Sequence, residues 1–142
     1  MNQKNTEKLF KDFSSFWYEP NDPSKSLMVF GFECGDGWFP LIYKLCADIQ
    51  KEIKENNLEN FYVVQVKEKF GGLRFYTYNS TEKIEELIRS AMKQSFHTCE
   101  DCGGYFKNRP KTTNWTYALC PKCWKKLQKS RSNTPINIRL NK

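Results

Sequence analysis

The residues best suited to chemistry are four cysteines near the C-terminus. They read Cys99-Glu100-Asp101-Cys102, then seventeen residues, then Cys120-Pro121-Lys122-Cys123. Two residues between the cysteines of a pair let both thiolates reach one metal from a tight turn, and two such turns complete a tetrahedron. Soft thiolates in this number and spacing suit zinc, at about 2.3 Å per Zn–S bond. Four thiolates close the coordination shell and leave no position for water, so one structural Zn2+ is expected and not a catalytic one. Two disulfides or a dithiol redox pair would use the same residues. The paired spacing and a reducing compartment argue against both.

Local elements must hold such a metal. Gly103 and Gly104 follow the first pair and permit the backbone bend of a knuckle. The second pair runs into Trp124-Lys125-Lys126-Leu127-Gln128, a good helical stretch, with Pro121 suited to its first turn. The spacer, Tyr105 to Leu119, contains Trp115, Thr116 and Tyr117, which favour a strand. A knuckle, a hairpin-length spacer and a helix bearing the second pair resemble the treble-clef zinc fold. A module of roughly 40 residues has too little core to fold unaided. The metal's binding energy, on the order of 10 kcal/mol or more, is then folding energy.

The chain has 142 residues and a formal net charge of +7, unevenly spread. All 16 acidic side chains precede Gly103. Beyond it lie Lys107, Arg109, Lys111, Lys122, Lys125, Lys126, Lys129, Arg131, Arg139 and Lys142. A mildly acidic body joined to a strongly basic end points to a polyanionic partner, most commonly nucleic acid, or else to a solvated basic tail. Lys122, Lys125, Lys126 and Lys129, spaced by three and four, fall on one side of the predicted helix. With Lys107, Arg109, Lys111 and Arg131 they form the candidate phosphate-binding set. They suit phosphates better than base edges. Tyr105, Trp115 and Tyr117 are candidates for stacking on unpaired bases.

Catalysis finds less support. A metal-dependent nuclease needs a base and ligands for a second metal, and His97 is the single histidine. Cys34 has no histidine near it in sequence to activate a nucleophile. A second charged group, Glu33, Asp36, Trp38, Lys67, Lys69 and Arg74, flanks Gly-rich turns and would form an anion or partner site if the fold brings it together. Helix capping by Asp36 and ion pairs across a hairpin explain the same residues without a site.

The body must carry these groups. Leu9, Phe10, Phe13, Phe16 and Trp17 mark one face of a short N-terminal helix, broken by Pro20 and Pro23. The apolar run Leu27 to Glu33 reads as a strand. Asp36 stands at a cap position before Trp38, Ile42, Leu45, Ile49 and Ile53, an amphipathic helix with Cys46 on the buried stripe. Phe61 to Lys67 and Leu73 to Tyr78 read as strands joined by a turn at Lys69-Phe70-Gly71-Gly72. A last body helix, opened by Asn79 or Ser80, carries Ile84, Leu87, Ile88, Ala91 and Met92 and ends at Phe96 and His97.

Three motifs stand in order: Gly31-Phe32-Glu33-Cys34-Gly35-Asp36-Gly37-Trp38, then Gln65-Val66-Lys67-Glu68-Lys69-Phe70-Gly71-Gly72-Leu73-Arg74-Phe75-Tyr76, then the paired cysteines. From about Leu9 to Cys123 the chain resembles a family of small uncharacterised proteins frequent in phages and prophages. The resemblance implies a mobile-element origin and a treble-clef-like end. Tyr105 to Thr113 departs from the family pattern in lacking a short Gly-containing segment.

The chain is thus expected to be α+β, with a small antiparallel sheet and flanking helices (residues 1–97), a treble-clef-like zinc module (98–129) and a flexible basic tail (130–142). It lacks an N-terminal apolar stretch and any run long enough to span a bilayer, so a soluble, cytoplasmic protein without a membrane partner is expected. The expected function is non-enzymatic nucleic-acid binding through the basic module. Alternatives are an adaptor or inhibitor docking on a host or defence protein, and a binder of a small nucleotide-like anion.

Overall fold

The computed structural model of the protein describes residues 1–17, 22–110 and 116–132. Helix α1 (Gln3–Asp12) begins where the Asn2 side chain accepts a hydrogen bond from the Asn5 backbone N–H at 2.8 Å. It buries Leu9, and a tight 3-10 turn over Ser14–Phe16 then tucks in Phe16. The expected N-terminal helix therefore ends before Phe16 and Trp17. Both still reach the core, and Trp17 makes a parallel bridge to Val63.

The run from Leu27 is not the continuous strand its apolar character predicts. Leu27–Phe30 forms a 3-10 turn, because the buried Ser26 hydroxyl accepts from the Met28 N–H at 3.1 Å and donates to the Val63 carbonyl at 3.0 Å. Gly31, at φ 70°, releases the turn into strand β1, only Phe32–Glu33.

Helix α2 (Phe39–Asn56) follows a 3-10 turn over Asp36–Trp38 and buries Ile42, Leu45, Cys46 and Ile49, as the spacing predicts. Strands β2 (Tyr62–Lys69) and β3 (Gly72–Tyr78) form an antiparallel hairpin. Phe70 and Gly71, at φ 52° and 74°, make its two-residue turn in the left-handed conformation that suits strand twist. The sheet order is β1-β2-β3, and β1 joins β2 in parallel. The sheet is therefore mixed and not wholly antiparallel. Helix α3 (Glu82–Ser95) is capped by Thr81, whose hydroxyl accepts from Ile84 N–H, and not by Asn79 or Ser80. Asn79 instead takes the left-handed conformation and binds the Glu59 carbonyl.

The fold is α+β, with one sheet face buried. Phe32, Val66 and Phe75 lie in one row across the three strands, with Leu73 and Val63 on the same side. They share the core with α1, α2 and α3 through Leu9, Trp38, Ile42, Ile49 and Ile84. Helix α4 (Pro121–Ser132) runs beyond residue 129, so residues 130–132 are helical and not a flexible tail. The remainder of the expected tail lies outside the described residues. Among the described residues, no helix is long and apolar enough to cross a membrane.

Candidate metal centre

The four expected ligands converge. Cys99, Cys102, Cys120 and Cys123 place their sulfur atoms within 4.8 Å of one another. The Cys102 and Cys120 sulfurs are 3.9 Å apart, close to the roughly 3.8 Å edge of a tetrahedron with 2.3 Å bonds. The donor set, four sulfurs and no oxygen or nitrogen, fits a tetrahedral thiophilic ion.

Local backbone chemistry fixes each pair. Thr98 and Tyr105 form an antiparallel bridge, and Cys99 N–H donates to the Gly104 carbonyl at 2.9 Å. Gly103, at φ 73°, closes the knuckle by donating its N–H to the Cys99 carbonyl at 2.8 Å. Cys120 precedes α4 and Cys123 sits in its first turn, where the Cys123 N–H faces the Cys120 sulfur at 3.5 Å. Trp115 lies outside the described residues, and Thr116–Cys120 forms no regular strand. A small core of Phe106 and Leu119, with Tyr117, Trp124 and Leu127, packs around Cys99 and Cys123. Burial pushes the Cys99 thiol above its ordinary range. A bound cation reverses that preference by favouring the thiolate.

The knuckle is seated on the first Gly-rich motif. Gly37 N–H donates to the Glu100 carbonyl at 2.7 Å, and the Trp38 indole Nε1–H donates to the Thr98 carbonyl at 2.7 Å. Gly35 N–H faces the Glu100 carboxylate at 3.3 Å. A Cβ on Gly35 would lie 2.1 Å from the Glu100 carbonyl oxygen, and one on Gly37 would lie 2.2 Å from that of Cys99. Glycine is required here by close backbone approach. Glu100 N–H also donates to the Ala118 carbonyl at 2.7 Å, and Ala118 belongs to the main core. Residues 98–129 are thus stitched to residues 1–97 and not tethered as a loose appendage.

The second charged group does not form one pocket. Trp38 is fully buried beneath the knuckle. Asp36 does not cap the turn it begins. Its carboxylate accepts from the Asn2 N–H at 2.7 Å and the Asn5 side-chain amide at 3.1 Å, at the start of α1. Those donors, with the Asn2 N–H foremost, hold its carboxyl below the ordinary range. Glu33, Lys67 and Arg74 share one row across β1, β2 and β3 on the side away from the core, without ion-pairing. Lys69 lies further along β2, its ammonium over the Phe70 ring at 5.4 Å.

Arg109 is turned inward. Its guanidinium donates to the carbonyls of Gly71 at 2.6 Å and Phe96 at 3.2 Å and stacks on the Phe96 ring at 4.9 Å. It clasps the loop after the knuckle to the β2–β3 turn. Its charge gave no sign of this in the sequence. Arg131 lies over the Tyr117 ring at 5.7 Å. Lys107 is exposed, and Lys111 lies outside the described residues. His97 is exposed, with Nδ1 3.1 Å from the Phe106 carbonyl and its ring stacked on Tyr105. Cys34 is buried, which pushes its thiol up to about 12 and leaves it a poor nucleophile. Cys46 is fully buried on α2.

Lys122, Lys125, Lys126 and Lys129 are exposed and line one open hollow of about 800 Å³ beside the cysteines, together with Asp101 and Cys102. No protein-family model, no curated protein and no solved structure matches this chain.

Proposed function

We propose that the protein is a non-enzymatic nucleic-acid-binding protein, built on one structural zinc and encoded by a mobile element. The observation that carries this reading is the convergence of Lys122, Lys125, Lys126 and Lys129 on one hollow. Phosphate groups entering it meet four ammonium groups on a helix that the metal holds at its first turn. Arg131 extends the basic line along α4, and Lys107 adds charge from the loop. Arg109 belongs to the scaffold. The order of knuckle, spacer and helix supports a treble-clef-like module with zinc closed off from water by four thiolates. Contacts of this kind fix position and carry little sequence information.

The test is fluorescence anisotropy with a labelled duplex oligonucleotide at low salt, on the parent and on a variant with Lys122, Lys125, Lys126 and Lys129 all changed to Glu. The parent binds. The variant does not, while its zinc content by elemental analysis and its circular dichroism stay those of the parent. Equal binding by both proteins, or zinc-free reduced protein, overturns the reading.

A further inference from the structure

The outward face of the β-sheet is a second, differently built surface. Side chains alternate across a strand, so the row partners Tyr62–Tyr78, Gln65–Tyr76 and Lys67–Arg74 share the face opposite Val66, Phe75 and Leu73. The bulge between Val63 and Gln65 restores this register. Tyr76 is 43% exposed and Tyr78 54%, high values for aromatic residues within a strand. The two tyrosines are two residues apart on β3, about 7 Å along the strand.

The rings are interleaved with cations. Lys67 Nζ lies 5.9 Å from the centre of the Tyr76 ring, and the Arg74 guanidinium rests on the Leu73 carbonyl at 3.1 Å. Among the described residues, neither cation is within ion-pairing distance of a carboxylate, although Glu33 lies in their row. The Tyr78 ring is held in place by stacking on Tyr62, centroids 4.8 Å apart and planes 19° apart.

We infer that this face binds single-stranded nucleic acid, with successive bases on Tyr76 and Tyr78 and phosphates at Lys67 and Arg74. Stacking needs the open π-face of an unpaired base, which a duplex does not offer, and the unpaired cations match the backbone charge. The surface adjoins α4, because Glu33 of its Lys67–Arg74 row lines one hollow with Lys126, but Tyr76 and Tyr78 can be tested apart from the α4 lysines.

The experiment uses the full zinc-loaded chain and labelled single-stranded 12-mers of thymidine and of uridine, with a duplex of equal length as control. Changing Tyr76→Ala or Tyr78→Ala is expected to weaken single-strand binding on the order of tenfold each. Tyr76→Phe and Tyr78→Phe keep it, and duplex binding is unchanged throughout. Tyrosine dependence on either the DNA or the RNA strand supports the proposal. Lys67→Ala with Arg74→Ala tests the same face without touching an aromatic residue. It is expected to reduce the salt dependence on single strands by about 0.7 log units per log unit of salt for each cation removed. Single-strand binding that is absent in the parent, or equal in the Ala variants, overturns the proposal. So does self-association abolished by Tyr76→Ala without any strand binding, which would assign the face to a protein partner. Persistence of the tyrosine effect in a protein whose four α4 lysines are Glu separates the two surfaces.

Discussion

The Trp38 indole and the Thr98 carbonyl, 60 positions apart in the chain, are joined by a 2.7 Å hydrogen bond. Through it the core of the body holds the segment that enters the metal knuckle. Trp38→Phe removes the donor and strands a carbonyl, at an expected cost of about 1–3 kcal/mol. Gly37→Ala drives a methyl group into the Cys99 carbonyl and is expected to cost on the order of 2–3 kcal/mol. Urea unfolding measures both. Both variants should also lose zinc to a chelator faster than the parent, because a displaced knuckle holds its thiolates less well.

The cysteines divide into two sets with different outcomes. Cys99→Ser opens the coordination shell and, because Ala118 and the knuckle belong to continuous structure with the body, should lower the melting temperature of the whole chain. Helices α1 to α3 should persist by far-ultraviolet circular dichroism at low temperature, while the near-ultraviolet signal of Trp38 changes. Cys34→Ala with Cys46→Ala should leave one zinc per chain by elemental analysis, although Cys46→Ala is expected to cost about 1 kcal/mol through its buried site.

Much of the scaffold is legible in the sequence because local and tertiary demands coincide. Ile42, Leu45 and Ile49 announce α2 by spacing alone, and the paired cysteines announce their convergence. What is not legible depends on contacts between distant segments. The Leu27–Phe30 turn exists because Ser26 prefers the Val63 carbonyl and the Met28 N–H to a place in a strand. Asp36 binds the Asn2 N–H and the Asn5 amide at the start of α1, 34 and 31 positions earlier in the chain, and nothing in its own neighbourhood names those partners. The Gly35-Asp36-Gly37-Trp38 motif looks like a turn or a site from sequence. In the fold it is the seat of the knuckle, and only the backbone of Cys99 to Gly103 explains its glycines.

Asp36 gives the fold a pH dependence of known sign. Its folded carboxyl titrates below the ordinary value of 3.8, so its stabilisation is complete above that value and is lost as pH falls through the lower folded pKa. Asp12, held down chiefly by Lys8 and then by the Tyr43 hydroxyl, acts in the same direction. Asp36→Ala loses two hydrogen bonds and should cost about 1 kcal/mol at pH 7. The difference from the parent should shrink below about pH 4, as followed by thermal melts across that range.

Arg109→Ala separates scaffold from contact. The loss of two hydrogen bonds and a ring contact should destabilise the chain by about 1–3 kcal/mol. The salt dependence of duplex binding should stay at the parent value.

The most direct measurement is the slope of log K against log salt concentration for duplex binding, compared between the parent and single changes Lys122→Ala, Lys125→Ala, Lys126→Ala and Lys129→Ala. If these ammonium groups hold phosphates, each contacting lysine removed flattens the slope by about 0.9, with zinc content unchanged. A slope that stays at the parent value in all four variants would contradict the account.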